Sequence, residues 1–211
     1  MAFYKLMAST LLFIVMVIMA AILLFTSSLT STIGAVDSFA SSYYNSDIKL
    51  RSAHQYLTIS AALGWSSLAL LIVILIVAAA AGGFSTVKVS DQMLLKPNPT
   101  PEEISAVSNA EKELSSGKTT RTILIIILIL IALITFLIGI LSAIGAVYLG
   151  ELDQQDSNSR SAYTQSIISS ISGVGGIGIM FVAIFVYISI RSDNDSEIGK
   201  LQLYEQQLSP K

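Results

Sequence analysis

The chain has 211 residues, of which 53% are hydrophobic and only 12% are charged, and its formal net charge is -2. Soluble domains usually carry about 25% charged residues, so this composition argues against an ordinary soluble protein. The small negative charge offers no basic surface for nucleic acid. The sequence has no cysteine, which excludes disulfides, thiolate catalysis and cysteine-ligated zinc or iron–sulfur clusters.

The charged residues are clustered and leave long stretches without Asp, Glu, Lys or Arg: residues 6–36, 52–87, 122–150 and 161–190. A helix of about 20 apolar residues crosses the hydrocarbon core of a bilayer. The sequence therefore predicts spans over residues 7–29, 57–82, 122–146 and 166–190. The predicted fold class is an all-α integral membrane protein, a four-transmembrane-helix bundle.

The first span has the charge pattern of a signal-anchor helix. Lys5 precedes an apolar run from Met7 to Phe25 that is longer than the apolar region of a usual signal peptide. We expect this helix to stay in the protein, although the sequence alone leaves its cleavage open.

Lysine and arginine predict the orientation of the spans. Basic residues favour the cytoplasmic side of a membrane protein. One side has only Lys49, Arg51 and Arg160. The other side has nine basic residues: Lys5, Lys88, Lys96, Lys112, Lys118, Arg121, Arg191, Lys200 and Lys211. The sequence therefore predicts a multi-pass protein with both termini in the cytoplasm.

The predicted organisation is a transmembrane hairpin over residues 1–84, a cytoplasmic loop over 85–121, a second hairpin over 122–191 and a polar cytoplasmic tail over 192–211. Lys96–Thr100 reads as a stiff extended segment because of its prolines. Thr100, Pro101 and Glu103 then form a helix-start signal, and Gly117 a stop. They predict a short amphipathic helix over about 101–116, which either packs on the bundle or docks a partner.

The two hairpins resemble each other in sequence. Residues 47–64 and 156–173 share seven identities in 18 positions at an offset of 109, and residues 33–36 match residues 144–147 at an offset of 111. Each half is a span, a loop and a span, so two copies would have the same orientation. We interpret the chain as two tandem parallel repeats related by an axis along the membrane normal.

Small residues and charge pairs recur at equivalent places in the two halves. Small residues four apart let helices approach closely in lipid. The candidate helix-packing residues are Ser60, Gly64, Gly139, Ala143, Ser169, Gly173 and Gly176. Asp47 with Arg51, and Asp156 with Arg160, form candidate i, i+4 charge pairs in the outer loops.

The sequence predicts no catalytic, cofactor-binding or metal-binding site, and we do not expect an enzyme. The charge-free spans also lack the ionisable residues that proton and ion pathways usually need. The four-span layout resembles tetraspan membrane proteins in general. It departs from claudins, tetraspanins and connexins, because those families rely on cysteines in their outer loops and this chain has none.

The leading hypothesis is a structural protein that anchors or scaffolds a larger assembly, either a multi-subunit membrane complex or the internal membrane of a large virus. Its partners would be the lipid bilayer and other protein subunits, contacted through the cytoplasmic loop, the tail or the outer loops, and not nucleic acid. The alternative is a small channel or transporter acting as a homo-oligomer. Its pore would be lined by serines: Ser60, Ser66, Ser67, Ser169, Ser170 and Ser172.

Overall fold

The computed structural model describes residues 2–81, 101–152 and 156–208 of the chain. Its elements are α1 (Ala2–Ala40), α2 (Ile48–Ala80), α3 (Pro101–Gly150) and α4 (Ser157–Leu208). All four helices are long and apolar enough to cross a membrane. Each predicted span falls on a helix of its own over its described residues, so the prediction of an all-helical chain with four helices long and apolar enough to span a membrane is confirmed. The length and composition of these helices indicate a multi-pass membrane protein.

Large apolar side chains cover the outside of the helices as well as the inside. Ile76, Ile126 and Phe185 are 64%, 60% and 73% exposed, whereas Leu57 and Leu128 are fully buried. An apolar surface of this extent would be a liability in water. It is the surface expected of helices that face lipid.

The prediction of a short amphipathic helix over 101–116 is wrong. Residues 101–116 form the first part of α3, which continues through Gly117 to Gly150. A glycine inside a helix costs about 1 kcal/mol relative to alanine, which is too little to stop a helix that continues on both sides. Pro101 is the first residue of α3, as its position in the sequence suggests. The extended segment Lys96–Thr100 lies outside the described residues.

The last helix also runs beyond the predicted span. α4 continues from Arg191 to Leu208, where the sequence predicts a polar tail over 192–211. Asn194 and Ile198 lie one turn apart and are 1% and 8% exposed. One face of this extension is therefore buried.

The chain divides into two compact units. The central unit comprises residues 15–73 and 128–183, and the terminal unit comprises residues 1–14, 74–127 and 184–211. The central unit contains parts of all four helices and the connection between α1 and α2. The terminal unit contains the beginning of α3 and the end of α4. In it Phe13 and Tyr187 lie with ring centroids 4.8 Å apart.

Candidate functional site

Five serines from all four helices meet in the interior of the central unit. They are Ser27 and Ser31 of α1, Ser60 of α2, Ser142 of α3 and Ser169 of α4, and we call them the serine cluster. Each is 0% exposed. Buried hydroxyls in an apolar environment need hydrogen-bond partners, and in a bundle of apolar helices they find them in each other.

The hydroxyls of the serine cluster form a closed ring of four members with a fifth attached. Ser31 Oγ lies 2.9 Å from Ser60 Oγ and 2.6 Å from Ser169 Oγ. Ser142 Oγ completes the ring at 2.8 Å from Ser60 and 2.9 Å from Ser169, and lies 3.2 Å from Ser31 across it. The fifth member, Ser27, lies 3.0 Å from Ser169 Oγ.

Backbone carbonyls complete the bonding of the serine cluster. Ser27 Oγ donates to Ser169 O at 2.9 Å, and Ser169 Oγ is 3.0 Å from Ser27 O. A nucleophilic serine needs a general base beside it. The cluster's described hydrogen bonds run only to serine hydroxyls and backbone carbonyls, so the chemistry this arrangement supports is helix association.

The sequence pointed to part of the serine cluster only. It singled out Ser60 and Ser169 as packing residues and missed Ser27, Ser31 and Ser142. Ser31 and Ser142 are 111 positions apart, which is the offset that relates residues 33–36 to 144–147. Extending the alignment of residues 33–36 with 144–147 upstream by two positions pairs Ser31 with Ser142.

The candidate glycines lie where neighbouring helices approach closely. A Cβ on Gly173 would be 2.9 Å from Gly139 Cα and 3.0 Å from Gly139 N, so two backbones touch here. A Cβ on Gly64 would overlap the Ser28 side chain and lie 3.2 Å from its Cα. A Cβ on Gly176 would be 3.3 Å from Thr135 Cγ2. Ala143, the remaining candidate, is half-buried.

The aspartates of the two candidate charge pairs lie at the starts of helices. Asp47 caps α2, since its Oδ1 accepts from the backbone N–H of Lys49 at 2.7 Å and of Leu50 at 3.4 Å. Asp156 occupies the same position at the start of α4, where the Ser159 hydroxyl donates to its Oδ2 at 3.3 Å. Arg51 and Arg160 are exposed. The aspartates thus act as helix caps, which the pairing rule for helix faces did not anticipate.

Hydrogen bonds also set the charge of the Asp156 cap. The pKa of Asp156 is held below its usual value, chiefly by a hydrogen bond from the Ser41 side chain. Burial opposes this effect, and hydrogen bonds from the backbone and side chain of Ser159 lower the pKa further. Ser41 Oγ lies 2.9 Å from Ser159 Oγ. The end of α1 and the start of α4 are therefore joined through a charged carboxylate.

Further polar contacts join the two hairpins at this end of the central unit. Ser161 Oγ donates to Asp37 Oδ2 at 2.6 Å, and Asn158 Nδ2 donates to Ala40 O at 3.0 Å. Lys49 Nζ lies 2.6 Å from Glu151 Oε2, although both side chains are about half exposed. Such an exposed ion pair contributes about 0–1 kcal/mol.

The serines that an oligomeric pore would need do not share one environment. Ser60, Ser67, Ser169 and Ser172 are buried, Ser170 is half-buried and Ser66 is exposed. Ser66 Oγ donates to Ala62 O one turn earlier in its own helix. Only Ser60 and Ser169 belong to the serine cluster.

The fold and this site define a class: an all-helical chain whose described residues form four helices long and apolar enough to span a membrane, connected by a buried network of serine hydroxyls. No protein family, curated protein or solved structure matches the chain.

Proposed function

We propose that the chain is a non-enzymatic structural membrane protein that anchors or scaffolds a larger assembly. One observation carries the proposal: α3 and α4 continue as helices well beyond their charge-free stretches. Residues 101–121 of α3 and 191–208 of α4 correspond to helical lengths of about 32 and 27 Å at about 1.5 Å per residue. These two helical extensions outside the hydrocarbon core would give a protein partner a rigid surface to bind.

The composition of these two extensions indicates the kind of partner. They contain eight acidic and five basic side chains, a net charge of -3. A partner with a basic surface would be complementary, and such complementarity favours encounter and specificity. Leu203 of α4 is 63% exposed in this polar segment and is a natural apolar anchor for the contact.

We expect Leu203→Asp to weaken capture of the native partners about tenfold, because a central apolar contact would be lost and a carboxylate would have to be desolvated in its place. The tagged full-length protein would be isolated in mild detergent at low salt, and co-purifying proteins would be quantified by mass spectrometry. The partners should be recovered in stoichiometric amounts with the natural chain.

The matched control is Ile48→Asp, a change of a similarly exposed aliphatic residue at the start of α2, where Ile48 is 71% exposed. It should leave the partners bound. Recovery of a homo-oligomer without other proteins would contradict the scaffold proposal. It would favour the oligomeric channel, which ion flux through the purified protein in liposomes would then test.

We also propose that both termini face the cytoplasm, on the strength of the asymmetry in lysine and arginine. Since the chain has no cysteine, single cysteines report its orientation cleanly. Ser157 and Ser196 are both exposed and belong to opposite ends of α4. Ser157→Cys should react with a membrane-impermeant maleimide on intact cells, and Ser196→Cys only after permeabilisation. The reverse labelling pattern would show the opposite orientation.

The third element of the proposal is that the two hairpins are tandem repeats about a two-fold axis. If Ser31 corresponds to Ser142 and Ser60 to Ser169, the serine ring maps onto itself. The Ser31–Ser60 distance of 2.9 Å then matches Ser142–Ser169 at 2.9 Å. The Ser60–Ser142 distance of 2.8 Å matches Ser31–Ser169 at 2.6 Å.

Contacts away from the hydroxyl ring obey the same correspondence. Ser169 Oγ donates to Ser27 O at 3.0 Å, and Ser60 Oγ donates to Ile138 O at 3.4 Å, with Ile138 111 positions after Ser27. A Cβ on Gly34 would lie 3.4 Å from Ala162 O, and one on Gly145 would lie 3.7 Å from Ala53 O. These matched pairs support the repeat proposal independently of the sequence identities.

A further inference from the structure

Among the described residues, two seams join the hairpins at the end of the central unit where α1 and α2 are connected. The seam between the end of α1 and the start of α4, which we call the polar seam, consists of hydrogen bonds between Ser41 and Ser159 at 2.9 Å, Ser161 and Asp37 at 2.6 Å, and Asn158 and the carbonyl of Ala40 at 3.0 Å. Water can take the place of each partner once the helices part. Such hydrogen bonds therefore add only modestly to the net free energy that holds the seam closed.

The second seam, which we call the apolar seam, joins α2 and α3 at the same end of the central unit. Leu50 and Leu57 of α2 and Leu149 of α3 are fully buried and belong to one cluster. Separating these leucines would expose apolar surface, which water does not compensate. Ala35 of α1 and Ala162 of α4 belong to the same cluster but have much less apolar area to expose. The apolar seam therefore resists separation more strongly than the polar seam.

We propose that the central unit opens at the polar seam: the end of α1 and the start of α4 separate while α2 and α3 stay in contact. The polar seam leads to the serine cluster, because Ser31 and Ser169 lie on the same two helices, about two turns from Asp37 and Ser161. Opening would let water and small polar solutes approach these hydroxyls from one end of the central unit. The contacts all lie within the central unit, so the opening depends neither on a protein partner nor on the orientation of the chain in a membrane.

Buried cysteines placed at the two seams would report the opening, since the natural chain has no cysteine. Ala162→Cys probes the polar seam and Ala53→Cys the apolar seam. Both alanines are fully buried, and each lies five residues after the first residue of its helix. A Cβ on Gly34 would be 3.4 Å from Ala162 O, and one on Gly145 would be 3.7 Å from Ala53 O, so each alanine lies against the other hairpin.

The two full-length variants, in detergent micelles, would be treated with a water-soluble trimethylammonium methanethiosulfonate, and the modified fraction would be followed by mass spectrometry. A buried thiol reacts only while it is transiently exposed, so Ala162→Cys should react faster than Ala53→Cys by about tenfold or more. Melting curves by circular dichroism check that both variants fold. Equal rates, a faster reaction of Ala53→Cys, or no reaction of either would overturn the proposal.

Two further variants make the test specific to the polar seam. Ser159→Cys, a nearly isosteric change at a position 2% exposed, should also react, and its protection would overturn the proposal even if Ala162→Cys failed to fold. Asp37→Ala removes the acceptor for Ser161, so it should raise the reaction rate of Ala162→Cys about tenfold and leave that of Ala53→Cys unchanged. An unchanged rate at Ala162→Cys, or an equal rise at both cysteines, would contradict an opening at this seam.

Discussion

Gly173→Ala is expected to destabilise the bundle by about 1–3 kcal/mol, the range for overpacking a tight interior. A Cβ on Gly173 would lie 2.9 Å from Gly139 Cα and 3.0 Å from Gly139 N. The atoms it meets are backbone, so they cannot rotate away, and α3 and α4 would have to separate. Loss of helicity during thermal or detergent-induced unfolding of the purified protein would measure the effect.

Gly178→Ala is the matched control, because it makes the same change in the same helix. A Cβ on Gly178 meets nothing within 4 Å. Alanine is the better helix former by about 1 kcal/mol, so this variant should be as stable as the natural protein or slightly more stable. Equal destabilisation of the two variants would show that α3 and α4 do not touch at Gly139 and Gly173.

Ser169→Ala is expected to have the second largest effect, a loss of about 1–3 kcal/mol. Ser169 Oγ contacts the hydroxyls of Ser27, Ser31 and Ser142, and its removal leaves those buried groups short of a partner. Leaving a buried hydroxyl unsatisfied costs about 1–3 kcal/mol in water-soluble proteins, and interhelical hydrogen bonds in membranes average about 0.6 kcal/mol each. Unfolding in a fixed detergent, monitored by circular dichroism, would determine the loss.

Two further variants make this prediction specific. Ser170→Ala changes the neighbouring, half-buried serine of α4, which is outside the serine cluster, and should leave stability within about 0.5 kcal/mol. Ser60→Ala should cost less than Ser169→Ala, because Ser169 alone has the additional contact with Ser27. If the hydroxyl network does not stabilise the bundle, the three variants should have the same free energy of unfolding.

The helix ends show where rules based on sequence fall short. The glycine at position 117 and the polar composition after Ile190 suggested separate elements, yet α3 and α4 continue through both. Local stop signals are worth about 1 kcal/mol or less, and unbroken backbone hydrogen bonding over many residues outweighs them. The aspartates at positions 47 and 156 cap α2 and α4, a role that depends on where each helix begins and that the i, i+4 pairing rule does not address.

The sequence by itself determined the class of the protein, because four long charge-free stretches in 211 residues leave an apolar bundle as the outcome. It also placed glycines and serines at helix-packing spacing, since the period of a helix decides which residues share a face. Only the tertiary structure decided which of those faces meet. Ser27, Ser31 and Ser142 look like any other serines in the chain, and they become a single network with Ser60 and Ser169 because four helices bring their hydroxyls within hydrogen-bond distance.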